Sequence, residues 1–182
     1  MLTLILGGAR SGKSRLAQKF AAAHQRVVYI ATAQVGDDPE MAARIAHHRS
    51  HRPAEWRTVE APLSLAAEVE QAVGEEAVLV DCLTVWLSNL FWEYRGEEPD
   101  RVQEIARAEL LRLAAAAQNR HVILVSNELG SGTVPEAAIT RAFRDAQGLL
   151  NQWAAELAGE VILTIAGLPM YLKAAPSAEA GR

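Results

Sequence analysis

The chain has 182 residues, enough for one full domain and short for two. Half of them are hydrophobic and 22% are charged, as in an ordinary globular protein, and a net charge of −4 argues against a broad nucleic-acid footprint while leaving room for a local basic pocket. A single cysteine, Cys82, cannot make an internal disulfide. The N-terminus lacks the basic start of a signal peptide and no apolar run has membrane-spanning length, so the expectation is a cytoplasmic protein.

Short apolar runs alternate with helical patterns along the whole chain. Strands are expected at 2–6, 27–32, 56–60, 77–81, 121–126 and 160–167, with a short returning strand at 169–173. Helices are expected at 15–24, 39–51, 63–73, 82–94, 101–118 and 137–158, the second with Pro39 near its first turn. Residues 96–100 and 127–136 are polar or Gly-rich breaks, and 174–182 read as a loose tail after a single domain spanning 1–173. The strands are apolar on both sides rather than alternating. That pattern predicts an α/β fold of the P-loop NTPase (RecA-like) kind, a mostly parallel sheet with helices on both faces.

The first strand runs into GGARSGKS: Gly7, Gly8, Ala9, Arg10, Ser11, Gly12, Lys13 and Ser14. This fits G-x-x-x-x-G-K-[ST] between a strand and a helix. Glycines let the backbone wrap phosphates and aim its N–H groups inward, and the following helix adds the positive end of its dipole. Lys13 would reach the β- and γ-phosphates, and Ser14 would coordinate Mg²⁺. A P-loop works with an acidic residue at the end of another buried strand, and AVLVD supplies Asp81 as the second metal-side group. Glu60 ends WRTVE in the same way and is a candidate ligand contact. The motif alone admits a small-molecule kinase or a non-catalytic nucleotide-binding assembly protein; no N-K-x-D supports a Ras-type GTPase, and the chain is too short for a two-motor helicase.

Three of the five histidines, His47, His48 and His51, fall within DDPEMAARIAHHRSHRP, among Arg44, Arg49 and Arg52. On a helix, His47, His48, His51, Glu40 and Arg44 share about 100° of arc opposite Met41, Ala42, Ile45 and Ala46. A solvated polar face, a metal site and a phosphate-facing role are all compatible with that arrangement. Trp86 and Trp92 read as core or interface rather than a ligand platform, Cys82 as a small buried residue, Arg141, Arg144 and Asp145 as a structural ion-pair set rather than a subunit contact, and His24 and His121 as incidental.

GGARSGKSRLA, YIATAQ, DPEMAARIAHHRSHRPAEWRTVE, VLVDCLTVWLSNL, VSNELGSGTVPE, RAFRDAQGLLNQ and AGLPMYLK, in that order, resemble the bifunctional adenosylcobinamide kinase / adenosylcobinamide-phosphate guanylyltransferase family of cobalamin assembly. The likeness runs from residue 2 to about 173; Thr133 stands where a larger aliphatic is more usual. The resemblance implies two reactions: phosphorylation of adenosylcobinamide by ATP or GTP, then transfer of GMP from GTP to that phosphate. It implies a covalent histidine–GMP species carried by His47, and nucleotide contacts from Thr32, Ala33 and Gln34 and from His48, Arg49, Ser50 and His51. It also implies a homotrimer, and a corrinoid contact in SNELGSGTVPE stands beside a purely structural role for that loop.

Overall fold

The computed structural model describes residues 1–34, 52–117 and 120–174. The expected helix at 39–51, with His47, His48, Arg49, Ser50 and His51, lies outside those residues, and so does the expected tail from 175 onward. Elements follow in the order β1 (Leu2–Gly7), α1 (Lys13–Ala21), β2 (Val27–Ala31), β3 (Arg57–Glu60), α2 (Leu65–Gln71), β4 (Ala77–Asp81), α3 (Leu83–Glu93), α4 (Pro99–Ala116), β5 (His121–Asn127), α5 (Ala138–Leu157), β6 (Glu160–Ile165) and β7 (Leu168–Lys173).

The strands form one seven-stranded sheet in the order β3-β2-β4-β5-β1-β6-β7. Every pairing is parallel except β6 with β7. The run expected as one strand to residue 167 stops at Ile165, because Ala166 (φ 52°) and Gly167 (φ 81°) turn the chain back into β7. Two consecutive positive φ values make the tight hairpin turn whose twist matches the flanking strands.

Successive side chains of a strand point to opposite faces, and here both faces are buried. Leu4, Val28, Ile30, Val78, Val80, Val122 and Leu124 point to one face, where α2, α3, α4 and α5 pack. Trp86 lies at the centre of that layer, fully buried, with its indole N–H donating to the Leu63 carbonyl at 2.7 Å. Ile5, Val27, Tyr29, Leu79, Ile123 and Val125 point to the other face, covered among the described residues by α1, through Ala17 and Ala21, and by Trp56.

Candidate active site

In a parallel sheet of this kind ligands bind beyond the carboxyl ends of the strands. The register brings the candidate residues to that edge in two rows. Glu60, Ala31 and Asp81 lie opposite one another across β3, β2 and β4. Gly7 lies opposite Asn127 of β5 and Thr164 of β6.

The loop from Gly7 to Gly12 depends on two of its glycines having no side chain. A Cβ on Gly7 would stand 2.6 Å from the Thr164 carbonyl oxygen and collide with the Ser11 side chain. Gly12, at φ 96°, ends the loop, and a Cβ there would stand 3.1 Å from the Cα of Gly167. The β6–β7 turn is therefore packed glycine to glycine against the loop, and the Gly167 N–H donates to the Ser11 carbonyl at 2.8 Å. The Ser11 hydroxyl is buried against Gly7 without a hydrogen-bond partner. Ala9 and Arg10 are exposed along the loop, and Gly8 with them.

Lys13 and Ser14 open α1 and are half-buried. The Lys13 ammonium donates back to the Gly8 carbonyl at 3.0 Å. Burial pulls its pKa below the usual lysine value, while the negative charge of Asp81 acts the other way. Lys13 is thus close enough to Asp81 to feel its charge, although 68 positions separate them in the chain. Asp81 accepts a 2.9 Å hydrogen bond at Oδ2 from the Tyr29 hydroxyl. The Ser14 hydroxyl and the Asp81 carboxylate are hard oxygen donors of the kind Mg²⁺ takes, alongside water and phosphate oxygens. Among the described residues there is no group of three or more His, Cys, Asp or Glu that could hold a metal by itself.

Behind Asp81, Thr32 is fully buried and serves the framework. Its hydroxyl donates to the Cys82 carbonyl and accepts from the Cys82 N–H, both at 2.9 Å. Its carbonyl accepts from the Asn89 side-chain amide at 2.8 Å, and the same amide reaches the Pro62 carbonyl at 3.0 Å. Of the three residues expected beside the nucleotide after β2, Gln34 is exposed and Ala33 half-buried, so these two face outward from the clamp that Thr32 makes. Burial pushes the Cys82 thiol up to about 11, which keeps it protonated, in line with a packing role. Glu60 is exposed at the end of β3, beside a shallow pocket of about 510 Å³ lined by Arg52, Pro53, Trp56 and Thr58.

A buried polar network fills the space beside the end of β5. Ser126 donates to Asn151 at 2.7 Å, Gln147 donates to both, and the Asn151 amide reaches the Asn127 carbonyl at 3.0 Å. The loop after β5 is tied down by the helix that follows it. Arg141 donates to the Pro135 and Glu136 carbonyls and Arg144 to the Thr133 carbonyl, which gives these arginines the structural part expected of them. Trp86 is core, as expected, whereas Trp92 stands exposed at the rim of a groove of about 520 Å³ between α3, α4 and α5.

The sequence reading missed Tyr29, Asn89 and Asn127. Each reaches its partner across the fold: Tyr29 through the register of β2 with β4, Asn89 from α3 to the Thr32 and Pro62 carbonyls, and Asn127 at the end of β5 through its carbonyl to Asn151. His24 and His121, read as incidental, meet at 3.0 Å between ring nitrogens, and His121 continues to Thr3 at 2.9 Å.

Residues 3–172 match the family described as cobinamide kinase / cobinamide phosphate guanyltransferase. The chain is 50% identical over 178 residues to the bifunctional adenosylcobalamin biosynthesis protein CobP of Pseudomonas aeruginosa, covering 97% of this chain and 99% of that one. It is 43% identical to the bifunctional adenosylcobalamin biosynthesis protein CobU of Escherichia coli and 41% identical to that of Salmonella typhimurium, in each case over 95% of this chain and all of the relative.

Proposed function

The chain belongs to the cobinamide kinase / cobinamide phosphate guanyltransferase family, and on that premise we propose how one edge of its sheet serves both reactions. The protein is a bifunctional enzyme of adenosylcobalamin biosynthesis, a cobinamide kinase and a cobinamide-phosphate guanylyltransferase. What supports a shared site is the placement of Lys13 in the field of Asp81, at the end of a phosphate loop whose Gly7 and Gly12 leave no room for a side chain.

The residues from Gly7 to Ser14 cradle the triphosphate of ATP or GTP, with Lys13 on its outer phosphates. Ser14 and Asp81 would hold Mg²⁺, which when bound supplies positive charge to the phosphates. In the kinase reaction the hydroxyl oxygen of adenosylcobinamide attacks the γ-phosphorus. A new P–O bond forms, the β–γ bridge breaks, and the nucleoside diphosphate departs with its charge met by Lys13 and the loop N–H groups.

In the second reaction His47 is the nucleophile. Its neutral ring nitrogen attacks the α-phosphorus of GTP, a P–N bond forms, the α–β bridge breaks, and pyrophosphate leaves into the phosphate loop. An oxygen of adenosylcobinamide phosphate then attacks the same phosphorus, the P–N bond breaks, and adenosylcobinamide-GDP leaves with the ring neutral again. An imidazole suits this task because its unperturbed pKa, near 6.5, leaves it largely uncharged at neutral pH. His48, Arg49, Ser50, His51, Ala33, Gln34 and Glu60 complete the nucleotide contacts, with Thr32 acting through the clamp it makes on Cys82. We assign the enzyme to the cytoplasm and to a homotrimer; strand β7, exposed along its length, is a surface that a subunit could cover.

Incubation with GTP labelled at the α-phosphate tests the assignment of His47. The expected result is a protein adduct stable to alkali and labile to acid, absent from His47→Ala, with phosphorylation of cobinamide retained in that variant. Label that persists in His47→Ala, or no adduct in a wild-type protein that guanylylates its substrate, would remove His47 from the mechanism.

A further inference from the structure

Tyr29 is a phenol in the middle of a strand otherwise made of Val, Ile and Ala. Its ring is almost fully buried on the α1 face of the sheet, 2% exposed. Tyr29 lies opposite Leu79, and Asp81 is two residues further along the same strand and on the same face. The length of a tyrosine side chain spans that diagonal, and the hydroxyl donates to Asp81 Oδ2 at 2.9 Å. On the other side the Arg52 guanidinium lies over the ring, its carbon 3.3 Å from the ring centre. Arg52 is itself fixed by donating from Nη1 to the Thr58 hydroxyl at 3.1 Å, and Thr58 is the register partner of Tyr29 on β3.

We propose that Tyr29 is the positioning residue for Asp81, and that Arg52 is the bracket which keeps its ring in place. A carboxylate at a strand end can swing about two bonds, and a metal-side oxygen is useful only in one orientation. A donor on Oδ2 fixes the orientation, and a phenol is suited to the task. The unperturbed pKa of a phenol, about 10, keeps it a donor at neutral pH. Arg52 follows His51 directly in the chain. The bracket therefore joins the segment that carries the histidines to the carboxylate that serves the phosphates, with Tyr29 between them.

This inference rests on the assignment of Asp81 to the Mg²⁺ side of the site, and the experiment separates the two. A fluorescent GTP analogue is titrated into wild type, Tyr29→Phe, Arg52→Gln and Asp81→Asn, once in EDTA and once across a range of Mg²⁺, with thermal melting of each ligand-free protein alongside. For Tyr29→Phe, which keeps the ring and loses only the hydroxyl, the expected result is unchanged affinity in EDTA and a rise of about tenfold in the Mg²⁺ needed for half-saturation. Arg52→Gln should move the same quantity in the same direction by a smaller factor. Asp81→Asn should lose the Mg²⁺ dependence altogether. If Asp81→Asn loses it and Tyr29→Phe matches wild type, the positioning role is wrong while Asp81 keeps its assignment. If Asp81→Asn retains full Mg²⁺ dependence, the Asp81 assignment is wrong and the role of Tyr29 falls with it. Equal weakening of Tyr29→Phe with and without Mg²⁺, or a large loss of melting temperature, would reduce Tyr29 to packing and overturn the proposal.

Discussion

The two faces of the sheet are unequal. Four helices bury 27 residues in one core on the first face, and among the described residues α1 and Trp56 close a core of 11 on the second. The thick face holds apolar bulk such as Trp86, Leu87 and Leu110, with few groups that could touch a ligand. The thin face carries Lys13, Tyr29, Asp81 and Glu60. The sheet thus differs between its sides: apolar packing dominates the first, and the candidate catalytic groups gather on the second, where among the described residues a loop and one short helix border the strand ends. Hydrophobic burial scales with the area removed from water, so among the described residues the thick face contributes more of it.

That division can be broken from either side. The largest effect is expected from Trp86→Ala, which removes a fully buried indole and its bond to Leu63. Stability should fall by about 4–5 kcal/mol in chemical denaturation, with the phosphate loop of the molecules that remain folded still binding nucleotide. Lys13→Ala should do the reverse. Removing the ammonium from the loop should slow both reactions about 10²–10³-fold, some 3–4 kcal/mol at the transition state, while the denaturation midpoint stays near that of wild type.

A smaller effect sharpens the comparison, because it belongs to neither face. His121 sits at the opposite edge of the sheet from the site, and its pKa is lowered to about 4, by burial first and then by His24 and the N-terminal ammonium. Thr3 donates to Glu160 at 3.3 Å, so it accepts from His121 Nε2–H, and His121 Nδ1 accepts from His24. The folded protein therefore holds His121 neutral in one tautomer. Between pH 6.5 and about 4 the unfolded chain binds a proton there that the folded chain does not. Stability should be full above pH 6.5, fall through that window, and level off below it. With His121 only half-buried, solvent screening brings the loss to about 1–2 kcal/mol. Denaturation of wild type and His121→Gln at pH 7.5 and 4.5 measures it, and the variant should lose that part of the pH dependence.

The strand–helix alternation, the phosphate loop and the strand that ends in Asp81 were all legible in the chain, because each rests on a local pattern: apolar runs, glycine spacing, and a polar residue closing a buried strand. The pairing of Tyr29 with Asp81 was not, since 52 positions separate them. It depends on β2 lying beside β4 in a register that periodicity does not encode. Thr32 shows the same limit. Its place after a strand made it a nucleotide contact by resemblance, and only the fold reveals that its hydroxyl is occupied with Cys82. His47, His48, Arg49, Ser50 and His51 were singled out by residue type and given roles by resemblance. They lie outside the described residues, so their assignment waits on the labelling experiment.

Hairpin tips are ordinarily the places where a protein accepts an epitope, a linker or a circular permutation, since nothing leans on them. The bend at Ala166 and Gly167 is an exception. Its glycine abuts Gly12, and Arg15 reaches within 3.2 Å of where a side chain at 167 would begin. Cargo grafted at this bend would wedge the nucleotide cradle apart, so an engineer seeking a permissive attachment point should look elsewhere on the surface.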